Sequence, residues 1–161
     1  MDAKSLKNVA IVSVEGAARL GRVTEVLFET NPLRLAALRA SDQSGESVLP
    51  FDRVSSFGSD AVMVETPDVS QVSRQTDSFT HLRSLADLQT LKVVDESGGF
   101  IGTITDIHFD PDSGRVERLV AHTGGMLGVG GKKTTIEGHD VRSVGSDLIT
   151  ISANRTASSE T

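Results

Sequence analysis

Leu20-Gly21-Arg22-Val23-Thr24-Glu25-Val26-Leu27-Phe28-Glu29 has a near-copy later in the chain, Ile101-Gly102-Thr103-Ile104-Thr105-Asp106-Ile107-His108-Phe109-Asp110. The offset from Gly21 to Gly102 is 81 residues, and it holds without a gap to Arg34 and Arg115, Leu35 and Val116, and Leu38 and Leu119. After an extra stretch in the second copy the register resumes at 87, from Gly58 to Gly145. There Gly58-Ser59-Asp60 and Val62-Met63-Val64 answer Gly145-Ser146-Asp147 and Ile149-Thr150-Ile151. Agreement in class at apolar, glycine and acidic positions marks an internal duplication, which has to be recognised before any element is assigned. The expected organisation is a first unit at residues 5–66, a linker at 67–83, a second unit at 84–153 and a disordered polar tail at 154–161.

Each unit reads as short strands. Asn8-Val9-Ala10-Ile11-Val12-Ser13-Val14 is β-branched and of strand length. Residues 21–29 follow as a second strand, with Val26 and Phe28 assigned to one face and Val23 and Leu27 to the other. Apolar residues on both faces suit a closed or curled sheet. The next turn is sharper in the second copy, where Asp110-Pro111-Asp112-Ser113-Gly114 supplies a fixed φ, a side-chain acceptor and a positive φ. Its first-copy counterpart, Glu29-Thr30-Asn31-Pro32-Leu33, has no glycine, so a different turn geometry is expected. Strands at 34–40 and 115–122, at 48–54 and 135–141, and at 61–65 and 148–152 complete the pattern. Five or six short strands per unit, with turns every 8 to 12 residues or so, predict two tandem small β-barrels, an all-β fold. Ser84-Leu85-Ala86-Asp87-Leu88 reads as one helical turn entering the second barrel, and Val69, Val72 and Phe79 are candidates to dock the linker on a barrel.

Bulk composition excludes several function classes. Sixteen basic residues against 22 acidic give a net charge of −6, which disfavours nucleic acid or an anionic membrane as the main partner. The chain has no cysteine, which removes disulfides, thiolate metal sites and cysteine nucleophiles. No apolar run approaches the roughly 18 residues of a spanning helix. The start, Met1-Asp2-Ala3-Lys4-Ser5-Leu6, carries no signal-peptide core, so a cytoplasmic location is expected.

Read together, Val93-Val94-Asp95-Glu96-Ser97-Gly98, Ile101-Gly102-Thr103-Ile104-Thr105-Asp106, Asp110-Pro111-Asp112-Ser113-Gly114-Arg115 and Gly124-Gly125-Met126-Leu127-Gly128-Val129-Gly130 resemble the PRC-barrel domain. That family is named for the photosynthetic reaction centre H subunit. The first unit is more divergent but keeps Leu20-Gly21, Leu49-Pro50-Phe51 and Val54. Glu137 stands where the family pattern has proline, and the first unit lacks the glycine-rich loop, so the two surfaces there differ. The resemblance implies a binding or assembly role rather than catalysis. PRC barrels occur in the reaction-centre H subunit and in the ribosome maturation factor that docks on a small-subunit ribosomal protein. The membrane helix of the first and the extra amino-terminal domain of the second are not seen in this sequence, so neither role is carried over.

The residues themselves offer little chemistry. Gly124-Gly125-Met126-Leu127-Gly128-Val129-Gly130-Gly131-Lys132-Lys133-Thr134 invites a phosphate-loop reading, but a Walker loop needs glycine five residues before Gly-Lys, and Met126 stands there. The four histidines show no metal-ligand spacing. Asp110, Asp112 and Gly114 open like a calcium loop yet lack its distant glutamate. No Gly-x-Ser-x-Gly elbow is present. No catalytic residue, cofactor or metal is therefore expected. The expected function is a protein-interaction or scaffold module, with an RNA-processing or ribosome-associated assembly factor and a small-ligand or metal binder as alternatives. The candidate contact residues are Leu49, Pro50 and Phe51 together with Gly124, Gly125, Met126, Leu127, Gly128, Val129, Gly130, Gly131 and Lys132, apolar side chains on a glycine frame. The expected partner is a protein, with self-association as a homodimer or between the two units.

Overall fold

The computed structural model describes residues 1–43, 45–65, 79–124 and 131–153, and the backbone of 159–160. It contains two seven-stranded sheets, one per unit, and the fold is all-β as two tandem small barrels. In the first sheet β4 (Gly45–Pro50), β3 (Leu33–Asp42), β2 (Arg19–Thr30), β1 (Ala10–Ser13), β6 (Ala61–Val64) and β5 (Val54–Phe57) lie in that order, and β7 (Arg83–Ser84) pairs with β2. The second sheet runs β12 (Val141–Val144), β13 (Leu148–Ile151), β8 (Lys92–Asp95), β9 (Phe100–Phe109), β10 (Val116–Thr123), β11 (Lys132–Glu137) and β14 (Ser159–Glu160). The tail thus contributes a short edge strand at residues where the sequence suggested disorder.

The duplication extends to individual hydrogen-bonded pairs. Ile11 faces Gly21 as Val93 faces Gly102, and β1 runs parallel to β6 as β8 runs parallel to β13. Glycine is required at both positions for the same reason. A Cβ on Gly21 would sit 2.6 Å from the Ser41 carbonyl oxygen, and one on Gly102 would sit 2.7 Å from that of His122. The bulges recur as well, at Thr24 and Thr105 and at Ala36 and Glu117. Each bulged threonine donates its hydroxyl to the facing carbonyl, Thr24 to Arg39 and Thr105 to Val120, both at 3.2 Å. These bulges correct the strict two-residue alternation. The extra residue at Thr24 returns Val23 to the same core as Val26 and Phe28. Leu27 instead packs with Ala37 and Val48 in a small outer cluster, capped by Phe79 and Leu82. The first-copy turn does differ from the second, with a cis Asn31–Pro32 bond where the other has Gly114 at φ +77.

The two barrels share one hydrophobic core and exchange their leading segments. A 3-10 turn, Ala3–Leu6, precedes β1, and the helical turn Leu85–Leu88 precedes β8. The first belongs to the first unit by sequence yet packs on β9, and the second packs on β2 as well as on its own β9. Backbone pairing makes the exchange explicit. The amino terminus donates to the Phe109 carbonyl and the Phe109 amide returns a bond to Met1, both at 2.9 Å, while Arg83 pairs with Phe28. Ala3, Leu6, Leu85 and Leu88 are all buried. At the centre of the seam Arg34 bridges Arg115, its own repeat equivalent, and the Leu35 amide donates to the Gly114 carbonyl at 2.7 Å. Equivalent residues meeting each other is the mark of an isologous contact. The chain is folded as a dimer of its own halves.

Candidate functional site

The sequence-derived contact residues fall in two places. Leu49 is buried, 2% exposed, and Pro50 ends β4 opposite Ala37. The Phe51 ring crosses the seam to lie where a Cβ on Gly114 would touch it at 3.3 Å, and it stacks on Phe57, 5.7 Å between centroids. Phe57 in turn meets Phe109 edge-on at 5.5 Å. Phe51 therefore meets the other half of the chain at Gly114. The second group begins at Gly124, at the far end of β10. The eight residues of β10 separate it from the seam by roughly 25 Å at about 3.3 Å per residue. Gly124 therefore lies at the opposite end of β10 from the contact of Phe51 with Gly114.

Gly125, Met126, Leu127, Gly128, Val129 and Gly130 lie outside the described residues. The two ends of their loop are described. Gly124 has φ +69, a conformation that favours glycine, and a Cβ on Gly131 would meet the ring of the exposed His122, 2.3 Å from Nε2, a side chain that can turn aside. Lys132 begins β11 opposite Thr123. The loop springs from the rim where Gly102 abuts Thr123, and Phe100 lies on the same rim, 56% exposed. In the first barrel the position of Phe100 is held by Arg19, and the loop is reduced to the short connection between β3 and β4. That rim is a shallow basin lined by Arg19, Leu20, Arg22, Ser41, Asp42 and Gln43. Phe100 escaped the sequence reading, although the repeat alignment carried its signal, a phenylalanine aligned with an arginine.

The carboxylates at Asp95, Asp110 and Asp106 are satisfied locally. Asp95 accepts from the Ser97 and Gly99 amides, both at 2.9 Å, which closes the turn before β9. Asp110 accepts from the Asp112 amide at 2.9 Å and from the Ser113 hydroxyl at 3.1 Å. The Asp112 amide is the main reason its carboxyl is held below the ordinary value, with Ser113 adding to it. These are turn-stabilising carboxylates. Among the described residues one group, Asp2, Asp106 and His108, gathers three potential ligand atoms within 4.8 Å of one another. Asp106 Oδ1 already accepts from the Lys4 and Ile107 amides, and His108 Nδ1 lies 2.5 Å from Asp2 Oδ1. The group clips the exchanged amino-terminal segment onto β9. Across the seam from Phe51, the Phe51 position is taken by Gly138, and an open cleft of about 570 Å³ remains between the turn at Asn31 and Pro32 and residues Arg115, His139 and Arg142.

Residues 81–157 match the family model of the PRC-barrel domain. The match begins just ahead of β7, so it includes the segment that pairs with the first barrel. No curated protein matches the chain. Among the described residues, no helix is long and apolar enough to cross a membrane.

Proposed function

We propose that this chain, whose second unit is a PRC-barrel domain, is a non-catalytic protein-interaction or assembly module that works in the cytoplasm. The rim of the second barrel is its contact surface. One observation carries the reading: the rims of two barrels with the same register differ, and the difference is an exposed Phe100 at the end of the sheet where β10 ends at Thr123 and β11 begins at Lys132. A large aromatic ring left in water at a loop base is the kind of anchor that dominates protein interfaces. The pairing of the halves supports the same reading. It buries the seam and leaves the rims as the surfaces free to differ.

The test is crosslinking capture from native lysate with the full chain, a Phe100→Ser variant and a variant lacking residues 124–131. Recovery of the partner is expected to fall by about tenfold or more with each change, the effect of losing roughly 1.4 kcal/mol of binding. Unchanged recovery with both variants sinks the rim as the contact surface.

A further inference from the structure

We infer that the β11 edge of the second barrel accepts an acidic extended segment of a partner protein, and that the chain's own β14 occupies this place. The inference rests on the reading of this barrel as an interaction module and specifies the partner's chemistry.

Strand register sets the geometry. Leu148, Lys92, Thr103, His122 and Lys133 are direct neighbours across β13, β8, β9, β10 and β11. Directly opposed residues share a face of the sheet, and Leu148, Lys92, His122 and Lys133 are exposed. Three basic residues thus form a transverse row on the outer face, about 14 Å from Lys92 to Lys133 at roughly 4.8 Å per strand. No salt bridge among the described residues involves Lys92, His122 or Lys133. The same row in the first barrel reads Ala61, Ala10, Arg22, Ser41 and Glu46, with one cation and with an acid at its edge. The basic row is a property of the second barrel alone.

Beyond Lys133 the row meets β14. Its backbone pairs antiparallel with β11, Thr134 with Ser159 and Lys133 with Glu160. The edge therefore takes an added strand, and the residue of that strand in register with the end of the basic row is a glutamate. An edge strand offers unpaired amides and carbonyls to any extended segment, and alternate side chains then supply selectivity. A tethered tail acts at an effective concentration of millimolar order, so even a two-residue strand competes with a weak partner. A partner segment with several acidic residues engages Lys92, His122 and Lys133 together, where the tail has one glutamate in register with the row. A polyanion such as nucleic acid gains nothing from backbone pairing and meets a chain of net charge −6.

The test is an amide-resolved titration of the isotope-labelled chain with a synthetic eight-residue peptide in which glutamate alternates with valine. Three proteins are compared: the full chain, a chain ending at Ala153, and the full chain with Glu160→Lys. Shifts are expected in the amides of residues 132–137. The shortened chain should bind about tenfold more tightly than the full chain, a difference of roughly 1.4 kcal/mol, with Glu160→Lys in between. A Lys92→Glu and Lys133→Glu double variant, its fold checked by circular dichroism, should lose the shifts. Equal affinity with and without the tail overturns the inference. So does an absence of shifts, or tighter binding of a single-stranded oligonucleotide of equal charge. None of these outcomes bears on Phe100 or the loop, so failure here is separable from failure of the rim.

Discussion

On one side of the seam the Phe51 ring lies against Gly114; on the other, the Phe51 position is Gly138 and a cleft of about 570 Å³ stays open. The backbones around both places follow the same register, and both glycines are pressed against neighbouring main chain. A Cβ on Gly138 would fall 2.1 Å from the Val116 carbonyl oxygen, and one on Gly114 would fall 2.9 Å from that of Leu35. A single side chain decides whether the half-seam is filled. The rims repeat the lesson, with Arg19 and a short turn on one barrel and Phe100 and a long loop on the other. Duplication preserved what closes a barrel and released what a barrel shows.

The largest expected effect comes from the paired phenylalanines. Phe28 and Phe109 are repeat equivalents and both fully buried, but among the described residues only Phe109 of the two has an aromatic neighbour, Phe57. Replacing either by alanine should cost about 4 kcal/mol. Phe109→Ala should cost about 1 kcal/mol more, for the lost edge-on contact. Urea unfolding monitored by circular dichroism measures both, and equal losses would mean that the filled half-seam adds nothing.

Next in size is the exchange of leading segments. Leu6 and Leu88 occupy matching places, each buried in the shared core. Leu6→Ala and Leu88→Ala should each destabilise by about 3 kcal/mol. A loss below about 1 kcal/mol for Leu6→Ala alone would show that the amino-terminal turn is not held as firmly as its counterpart.

The smallest effect separates the two turns at the seam. Asp110 has a lowered folded-state pKa, so its bonds to the Asp112 amide and Ser113 hydroxyl contribute stability above the unfolded-state value. That contribution is lost as pH falls from the unfolded-state value through the lowered folded one. The stability difference between the native chain and Asp110→Asn should therefore be constant near neutrality and shrink in the acid range. A difference unchanged down to about pH 2, well under the ordinary carboxylate value, would refute the assignment.

Much of the fold was legible because it is written locally and twice. The alternation in Val62-Met63-Val64 and Ile149-Thr150-Ile151, the recurring Gly21 and Gly102, and the turn at Asp110 to Gly114 each have a short-range cause. The bulges at Thr24 and Thr105 were not legible, since an extra residue leaves no mark on composition and only shows as Val23 joining Phe28 in the core. The seam was half legible. Apolar Leu49 and Phe51 signalled a surface to be covered, but an apolar side chain carries no address. The structure covers it from within the chain.

By itself, then, the sequence determined two barrels of common register, their glycine positions and the place where the copies diverge. These follow from alternation, steric exclusion at Cβ and turn chemistry, all of which act between near neighbours. Only the tertiary structure decided that Ala3–Leu6 packs on the second barrel's β9, that Arg83 and Ser84 pair with the first barrel's β2, and that Arg34 meets Arg115. Burial of apolar surface is non-directional, so a hydrophobic face accepts any complementary partner. The geometry of the closed pair selects which one it receives.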